Sequence, residues 1–290
     1  MCSSDLGRVG VAFFKVSPRV RRRENDKIID LVFEIGNSER VYVDRINVVG
    51  NVRTVDSVIR REMRLAEGDA LNQAKIRESE RRLKRLGFFQ SVKIETVPTE
   101  TPDRIELTVN VVEQSTGELS FGAGLSSDSG VLGNASIRER NLLGQGQDLA
   151  LSFGVSVQDT QIDLSYTEPY FLDRPLSAGV DIFASERDLA SVSAYTERVA
   201  GFGLRVGYEP APRWRQIWSY TLKDSDISAS AGASRFIVAQ DGLSTTSKIS
   251  QKLTYDNTDN FFDPSEGLRL SWNSGLAGRS EEHTSELQSP

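Results

Sequence analysis

Few side chains in this sequence are of the types that perform nucleophilic, redox or metal chemistry. The 290 residues contain one cysteine, Cys2, and one histidine, His283. A structural zinc site needs about four Cys or His ligands, and a Cys–His nucleophile needs both residues side by side. The sequence therefore predicts no catalytic residues, no metal ligands and no cofactor.

Carboxylates remain as candidates for acid–base catalysis or calcium binding. Asp181 and Glu186 form a pair of the type that a glycosidase uses, but the sequence supplies no cleft around them. Asp256, Asp259 and Asp263 offer oxygen ligands, yet their spacing departs from that of an EF-hand loop. A turn that ends a strand explains the second group better, and neither group predicts an active site.

Two further patterns superficially suggest binding motifs. The glycines of residues 201–207 (GFGLRVG) have the wrong spacing for a dinucleotide loop, and no helical pattern follows them. The arginines among residues 19–23 have no aromatic residues between them, and the chain carries a net charge of −6, which argues against nucleic acid. Small residues inside a strand and a solvated hairpin turn are the favoured interpretations.

Both ends of the sequence appear foreign to the protein. Residues 1–6 and residues 279–290 (RSEEHTSELQSP) resemble translated sequencing-adapter DNA, and such segments are excluded from reasoning about the fold. Cys2 and His283 lie in these two segments. We expect the residues between them to be a fragment of a longer reading frame.

Composition limits the class of protein further. Hydrophobic residues make up 38% of the chain and charged residues 26%, which is too apolar for disorder and too polar for a helical membrane protein. No window approaches the ~18 consecutive apolar residues of a transmembrane helix. A membrane β-barrel stays compatible, because its strands alternate apolar and polar residues.

Residues 40–114 mix helical and strand patterns. One helix is expected to begin after Asn72, a good N-cap, and to end at Gly87 in a left-handed C-cap. An earlier helix is expected over about Val55–Leu65, capped by Thr54. Alternating segments predict three strands around this helix pair, at Val41–Val49, Ser91–Val97 and Arg104–Val112. The order strand–helix–helix–strand–strand predicts an α+β domain.

Residues 116–278 alternate apolar and polar side chains almost throughout. About nine segments follow this pattern, each close to the ~9–11 residues that cross a bilayer as a tilted strand. The polar faces are rich in Ser, Gly, Asn and Gln, and several apolar faces end in aromatic residues. This favours an antiparallel transmembrane β-barrel over a soluble β-sandwich, although alternation alone fits both.

Four motifs carry a resemblance to a known family. Asn72–Val92, with its GFF sequence at 87–89, resembles the helix-to-strand signature of polypeptide-transport-associated (POTRA) domains. Residues 140–147 (RNLLGQGQ), 168–171 (EPYF) and 256–267 (DNTDNFFDPSEG) resemble turns of the barrel in the outer-membrane assembly-factor superfamily. The resemblance covers essentially all of residues 7–278.

The resemblance implies a domain organisation. Residues 7–36, with strands around Val11–Val16 and Lys27–Ile35, correspond to a remnant of a preceding POTRA domain. Residues 40–114 correspond to a complete POTRA domain. Residues 116–278 correspond to the first part of a barrel that has more strands than the nine expected here.

The resemblance also implies a function. Such a protein assembles β-barrel proteins in the outer membrane, is not an enzyme, and holds its POTRA domain in the periplasm. Its implied partners are unfolded outer-membrane proteins, accessory lipoproteins, periplasmic chaperones and the lipid bilayer. A related translocator for a single passenger, a plain channel and a soluble sandwich protein remain the alternatives.

Two candidate sites follow from this resemblance. Arg64 and Glu67, exposed charges beside a Gly turn, are the expected docking point for an accessory lipoprotein. The first barrel strand, over Gly117–Leu125, is the expected gate, because glycine packs no side chain and loses more entropy than other residues when it is ordered. The residues assigned to this gate are Gly117, Leu119, Phe121, Gly122, Ala123 and Gly124.

Overall fold

The computed structural model describes residues 16–23, 28–35, 40–126, 130–258 and 266–281. The chain divides into two compact units. The first consists of the residues up to Thr116 together with Leu143–Gln145, and the second contains the remaining residues. Both candidate sites lie within the described residues, whereas Cys2, Asp259, Asp263 and His283 lie outside them.

An antiparallel hairpin comes first, formed by β1 (Val16–Arg23) and β2 (Ile28–Ile35). The expected hairpin turn at the arginines of 19–23 is wrong, because those residues lie in β1, with Arg21 opposite Asp30. Leu31 and Val32 are exposed in β2. Of the strand expected around Val11–Val16, only Val16 belongs to the described residues, where it begins β1.

An α+β fold follows, with the predicted order of strand, two helices and two strands. The sheet order is β3-β5-β4, with β3 parallel to β5 and β4 antiparallel to β5. The bounds of its elements are β3 Tyr42–Val49, α1 Asp56–Arg60, α2 Gln73–Arg85, β4 Phe89–Pro98 and β5 Arg104–Glu113.

The core of this fold follows from the alternation in β5. Ile105, Leu107, Val109 and Val111 are buried, and the residues between them lie on the open face of the sheet. The two helices cover the buried face with apolar side chains. The core residues outside β5 are Val41, Val43, Ile46, Val58, Ile59, Leu65, Leu71, Ile76, Leu83, Phe88, Phe89 and Val92.

Helix α2 begins and ends as its sequence predicts. The Asn72 side chain accepts hydrogen bonds from the backbone N–H groups of Ala74 and Lys75, which satisfies two otherwise unpaired donors. Gly87 adopts a φ of 72°, in the left-handed region that ends helices. No helix among the described residues is long and apolar enough to cross a membrane.

Helix α1 is shorter than predicted. It spans only Asp56–Arg60, and its N-cap is Val55 without a side-chain hydrogen bond, so the expected helix to Leu65 with Thr54 as its cap is wrong. The backbone N–H of Thr54 instead donates to the carboxylate of Glu113 at 2.7 Å. Leu65 is still buried, because the turns after α1 return it to the core.

The second unit is one antiparallel sheet of nine strands, in which each strand pairs with its neighbours in the chain. The nine strands match the number predicted from alternation. A short helix, α3 (Arg235–Val238), lies between the seventh and eighth strands. The strands are β6 Gly117–Ser126, β7 Gly130–Leu142, β8 Gln147–Ser156, β9 Asp159–Glu168, β10 Leu176–Asp188, β11 Tyr195–Ala211, β12 Trp214–Ala229, β13 Gly242–Asp256 and β14 Arg269–Glu281.

Candidate strand-pairing edge and membrane-facing sheet

The nine-stranded sheet has one apolar face that no described residue of its own unit covers. The strand register places Leu151 opposite Leu164 and Ile182 opposite Phe202, so these side chains share one face of the sheet. Among the described residues, every fully buried hydrophobic side chain belongs to the α+β fold, whereas those of the sheet remain exposed. A soluble sandwich would bury this face against a second layer, and the described residues form no such layer.

The apolar runs have the length of a membrane crossing. In β12 the run Trp214–Leu222 covers nine residues, and in β11 the run Ala200–Tyr208 covers nine. At ~3.3 Å per residue a nine-residue strand extends ~30 Å, which becomes ~25 Å when it is tilted. Beyond the runs the same face becomes charged, with Asp224 in β12 and an Arg198–Glu186 ion pair at 3.1 Å.

The strands are staggered in the manner of a barrel wall. Phe121 in the middle of the β6 run lies in the same cross-strand row as Asp224 in β12, six strands away. The middle of the β12 run is Trp218, six residues from Asp224. The apolar band therefore shifts by about one residue per strand, and such a stagger accompanies the strand tilt of closed barrels.

Aromatic residues border the apolar band at the end of the sheet where β6 begins. Trp214 and Tyr255 lie on adjacent strands with ring centroids 5.0 Å apart. Tyr166, Tyr208 and Trp272 occupy equivalent places near the same ends of their strands. Rings with an apolar body and a polar group are typical of the interface between lipid tails and water.

The opposite face is polar and is held together by arginine. Arg205 donates to both carboxylate oxygens of Asp181, at 2.5 and 2.9 Å, and also to the hydroxyls of Ser165 and Thr167. Asp181 thus lies on the polar face, whereas Glu186 lies on the apolar face. Because the two carboxylates face opposite sides of the sheet, they cannot flank one substrate.

The glycine motif of residues 201–207 lies inside β11, as a strand and not as a nucleotide loop. Asp256 ends β13, where it accepts hydrogen bonds from the backbone N–H and the hydroxyl of Thr258. No group of three metal-binding side chains occurs among the described residues.

The predicted gate residues all lie in β6, at one edge of the sheet. Among the described strands β6 pairs only with β7, so it forms one edge of this sheet. Leu119, Phe121 and Ala123 share the apolar face, and Phe121 is 76% exposed. Such an edge can add another strand through main-chain hydrogen bonds.

The glycines of β6 leave room for side chains of β7. A Cβ on Gly122 would lie 2.2 Å from the amide oxygen of Asn134, and one on Gly124 would lie 3.1 Å from a methyl group of Leu132. Both glycines lie on the polar face, and Gly117 faces Glu139. The glycines therefore weaken the edge strand and also accommodate its neighbour.

The second predicted site, Arg64 and Glu67, lies in the loop between α1 and α2. Both side chains are exposed. Glu67 accepts a hydrogen bond from the backbone N–H of Ile46 at 3.0 Å and forms an ion pair with Arg60 at 3.3 Å. The Ile46 hydrogen bond and the Arg60 guanidinium hold the pKa of Glu67 below its ordinary value. Glu67 thus fastens its loop to β3, whereas the Arg64 side chain points to solvent.

A structural carboxylate that sequence analysis missed is Glu113. Its oxygens accept hydrogen bonds from the backbone N–H groups of Val52, Arg53 and Thr54, at 3.1, 2.9 and 2.7 Å. Burial alone would raise the pKa of Glu113, but these bonds outweigh it and hold the pKa below its ordinary value. Glu113 thereby fixes the loop before α1 to the end of β5, close in sequence to the start of β6.

Comparison with known proteins agrees with this architecture. A family model described as the Omp85 superfamily domain matches residues 141–287, half of the chain. The chain belongs to the Omp85 superfamily. A POTRA model, described as a surface antigen variable number repeat, matches residues 41–114. The Omp85 match covers most of the nine-stranded sheet, and the POTRA match covers the α+β fold.

Individual relatives of this Omp85 chain are outer-membrane protein assembly factors. It is 34% identical over 262 residues to BamA of Nitratidesulfovibrio vulgaris, covering 89% of this chain and 32% of that protein. It is 32% identical over 206 residues to BamA of Neisseria meningitidis, covering 69% and 26%. The chain therefore spans between a quarter and a third of the length of these curated relatives.

A solved structure supports the same relationship. BamA of Haemophilus ducreyi lacking POTRA domains 1–3 superposes with a TM-score of 0.76 at 26% identity, covering 94% of this chain and 55% of that one. CdiB from Escherichia coli superposes with a TM-score of 0.52 at 15% identity, covering 91% and 49%. The second likeness shows a shared fold only.

Proposed function

We propose that this Omp85 chain is part of an assembly factor that folds and inserts β-barrel proteins into the outer membrane. The observation that carries the proposal is the apolar face of nine staggered strands, which no described residue covers. The sheet follows a POTRA domain in the chain, and its first strand, β6, is a glycine-rich edge strand. The relatives named as assembly factors support the same function. The α+β domain would lie in the periplasm, and the sheet would form part of the barrel wall in the outer membrane.

The mechanism would rest on strand pairing. An unfolded barrel protein must pair its backbone N–H and C=O groups before lipid surrounds them, since each unpaired group costs several kcal/mol there. In a closed barrel β6 would pair with the last strand, and its edge would offer matching donors and acceptors each time that pair opens. Unfolded outer-membrane proteins would be its substrates. The assembly would proceed without covalent catalysis, and the folding free energy of the substrate would drive it.

A single-passenger translocator is the closest competing function within the superfamily. The likeness to CdiB is at the level of fold, whereas the matches to BamA extend over most of the chain at 32–34% identity. A plain diffusion channel would have no use for a POTRA domain. The two functions differ in their substrates. An assembly factor inserts several unrelated barrel proteins, whereas a translocator handles one passenger.

The proposed function can be tested in a chimera, in which residues 41–278 replace the matching segment of Nitratidesulfovibrio vulgaris BamA. We expect the chimera to stay in the membrane after carbonate extraction, because its strands face lipid, and to assemble several different barrel proteins in a depletion strain. Release by salt alone would reject the membrane assignment. Stable insertion with assembly of one passenger only would favour the translocator.

Accessory lipoproteins are proposed to dock on the POTRA loop that bears Arg64 and Glu67. Periplasmic chaperones are proposed to deliver substrates to the same domain. Reversal of Glu67 would be a poor test of docking, because it also removes the partner of the Ile46 N–H and of Arg60. Arg64 is the better probe. Unlike Glu67, its side chain makes no hydrogen bond among the described residues, and only its backbone N–H donates one.

Arg64→Glu is expected to lower co-purification of an accessory lipoprotein with the chimera by about tenfold, the effect of losing an interface residue of moderate strength. Arg77→Glu is the matched control, because Arg77 is an exposed arginine of α2 whose side chain makes no hydrogen bond or ion pair among the described residues. Circular dichroism of the isolated domain should show both variants folded. Equal co-purification of the two variants would place the docking surface elsewhere.

A further inference from the structure

The connection between β9 and β10 contains a strained turn. Leu172 and Asp173 have φ values of 56° and 57°, so two successive non-glycine residues lie in the left-handed region. L-residues avoid this region because Cβ approaches the backbone, and such strain persists only where the surroundings enforce it. The turn projects Leu172 outward, and its side chain is 74% exposed.

This turn forms one wall of a groove on the apolar face of the sheet. The groove has a volume of about 660 Å³. Ala178 supplies a small side chain in its floor, in the row between Glu168 and Val206. We call it the turn groove, and its apolar lining consists mainly of Tyr166, Phe171, Leu172, Val180, Leu204 and Val206.

One rim of the turn groove carries a carboxylate, and a residue of opposite charge follows it in the chain. Asp173 lines the groove, and Arg174 follows it directly in the same exposed turn. Among the described residues no ion pair involves either side chain. Glu168, by contrast, is engaged, because it accepts hydrogen bonds from the Gln147 amide and from the Tyr170 N–H.

We propose that the turn groove holds one acyl chain of a phospholipid from the periplasmic leaflet, with a zwitterionic headgroup on Asp173 and Arg174. The inference rests on the proposed function, which places the apolar face in the membrane. The groove is continuous with that face and lies at its aromatic border, at the depth of headgroups. Adjacent carboxylate and guanidinium groups complement the ammonium and the phosphate of phosphatidylethanolamine.

The hydrophobic effect does not select this occupant, since lipid tails are apolar wherever they lie. Selection comes from two other sources. A shaped groove gains dispersion contacts that a flat strand surface does not offer. The charged rim adds hydrogen bonds to ionised groups, which are stronger than those between neutral groups. A lipid held in both ways would exchange more slowly than its neighbours in the bilayer.

The test uses the chimera, reconstituted in nanodiscs of phosphatidylethanolamine and phosphatidylglycerol, then released into detergent and weighed by native mass spectrometry. We expect one retained phosphatidylethanolamine. Ala178→Phe, which fills the groove, should lower the retained fraction about tenfold. Ala135→Phe, on the same apolar face in β7 but outside the groove, should leave it unchanged.

A second variant covers the case in which the filled groove disturbs folding. Leu172→Ser removes the apolar lip without adding volume and should lower retention about threefold. The proposal would be overturned if both groove variants retained as much phosphatidylethanolamine as Ala135→Phe does. It would also be overturned if the mass spectrum showed bound detergent in place of the lipid. If the chimera inserts in membranes but holds no groove lipid, only this inference fails, whereas failure to insert rejects the proposed function itself.

Discussion

Leu107→Ala is expected to remove about half of the stability of the POTRA domain. Leu107 is 0% exposed, lies at the centre of β5 and pairs with Ile46 on one side and Thr96 on the other. Truncation of a buried leucine to alanine costs about 2–5 kcal/mol, because contacts are lost and a cavity remains. A domain of residues 40–114 has a total stability of about 4–11 kcal/mol, so the change removes a large part of it.

Urea denaturation of residues 40–114, expressed alone, measures this loss. Val112→Ala in the same strand is the matched control, since Val112 is 52% exposed on the open face of the sheet. Its effect should stay within about 0.5 kcal/mol. Similar destabilisation by the two substitutions would mean that the helices do not cover the face of β5 that contains Leu107.

Gly124→Val is expected to slow barrel assembly by the chimera about fivefold. Valine favours extended strands and glycine does not, a difference of about 1 kcal/mol at a strand position. The new side chain would meet only the end of Leu132, which can rotate away. A stiffer β6 would stay paired with its neighbours for longer, and an edge that opens less often would receive substrate strands less often.

The control for this prediction is Gly154→Val in β8. Gly154 lies on the same polar face, a Cβ there would meet nothing within 4 Å, and β8 is paired on both sides. Gly122→Val is unsuitable, because its side chain must displace the amide of Asn134 and so disturbs the β6–β7 pair. If Gly154→Val slows assembly as much as Gly124→Val, the effect comes from barrel stiffness and not from the edge.

Local patterns predicted most of the fold because they are set by residues close together in sequence. The Asn72 cap, the Gly87 turn and the alternation of β5 each depend on a few neighbouring residues, and each is confirmed. The N-cap of helix α1 is predicted wrongly for the opposite reason. Its beginning depends on the hydrogen bond between Thr54 and Glu113, two residues that are 59 positions apart.

The same distinction applies to the sheet and the candidate sites. Alternation predicted nine strands and assigned Phe202 and Trp218 to one face, but it could not establish whether a second layer covers that face. The structural role of Glu67 depends on Ile46, which lies 21 positions away. The role of β6 as a gate stays a prediction, since among the described strands β6 pairs with β7 alone.

The most direct test of strand addition at β6 is a crosslinking scan in the chimera. Single cysteines at Leu119, Phe121 and Ala123 would each be combined with cysteines along the terminal strand of a stalled substrate. Strand pairing predicts disulfides in one fixed register, with each step of two residues in β6 matched by a step of two in the substrate. Substrate that assembles at the normal rate without any crosslink to β6 would contradict the account.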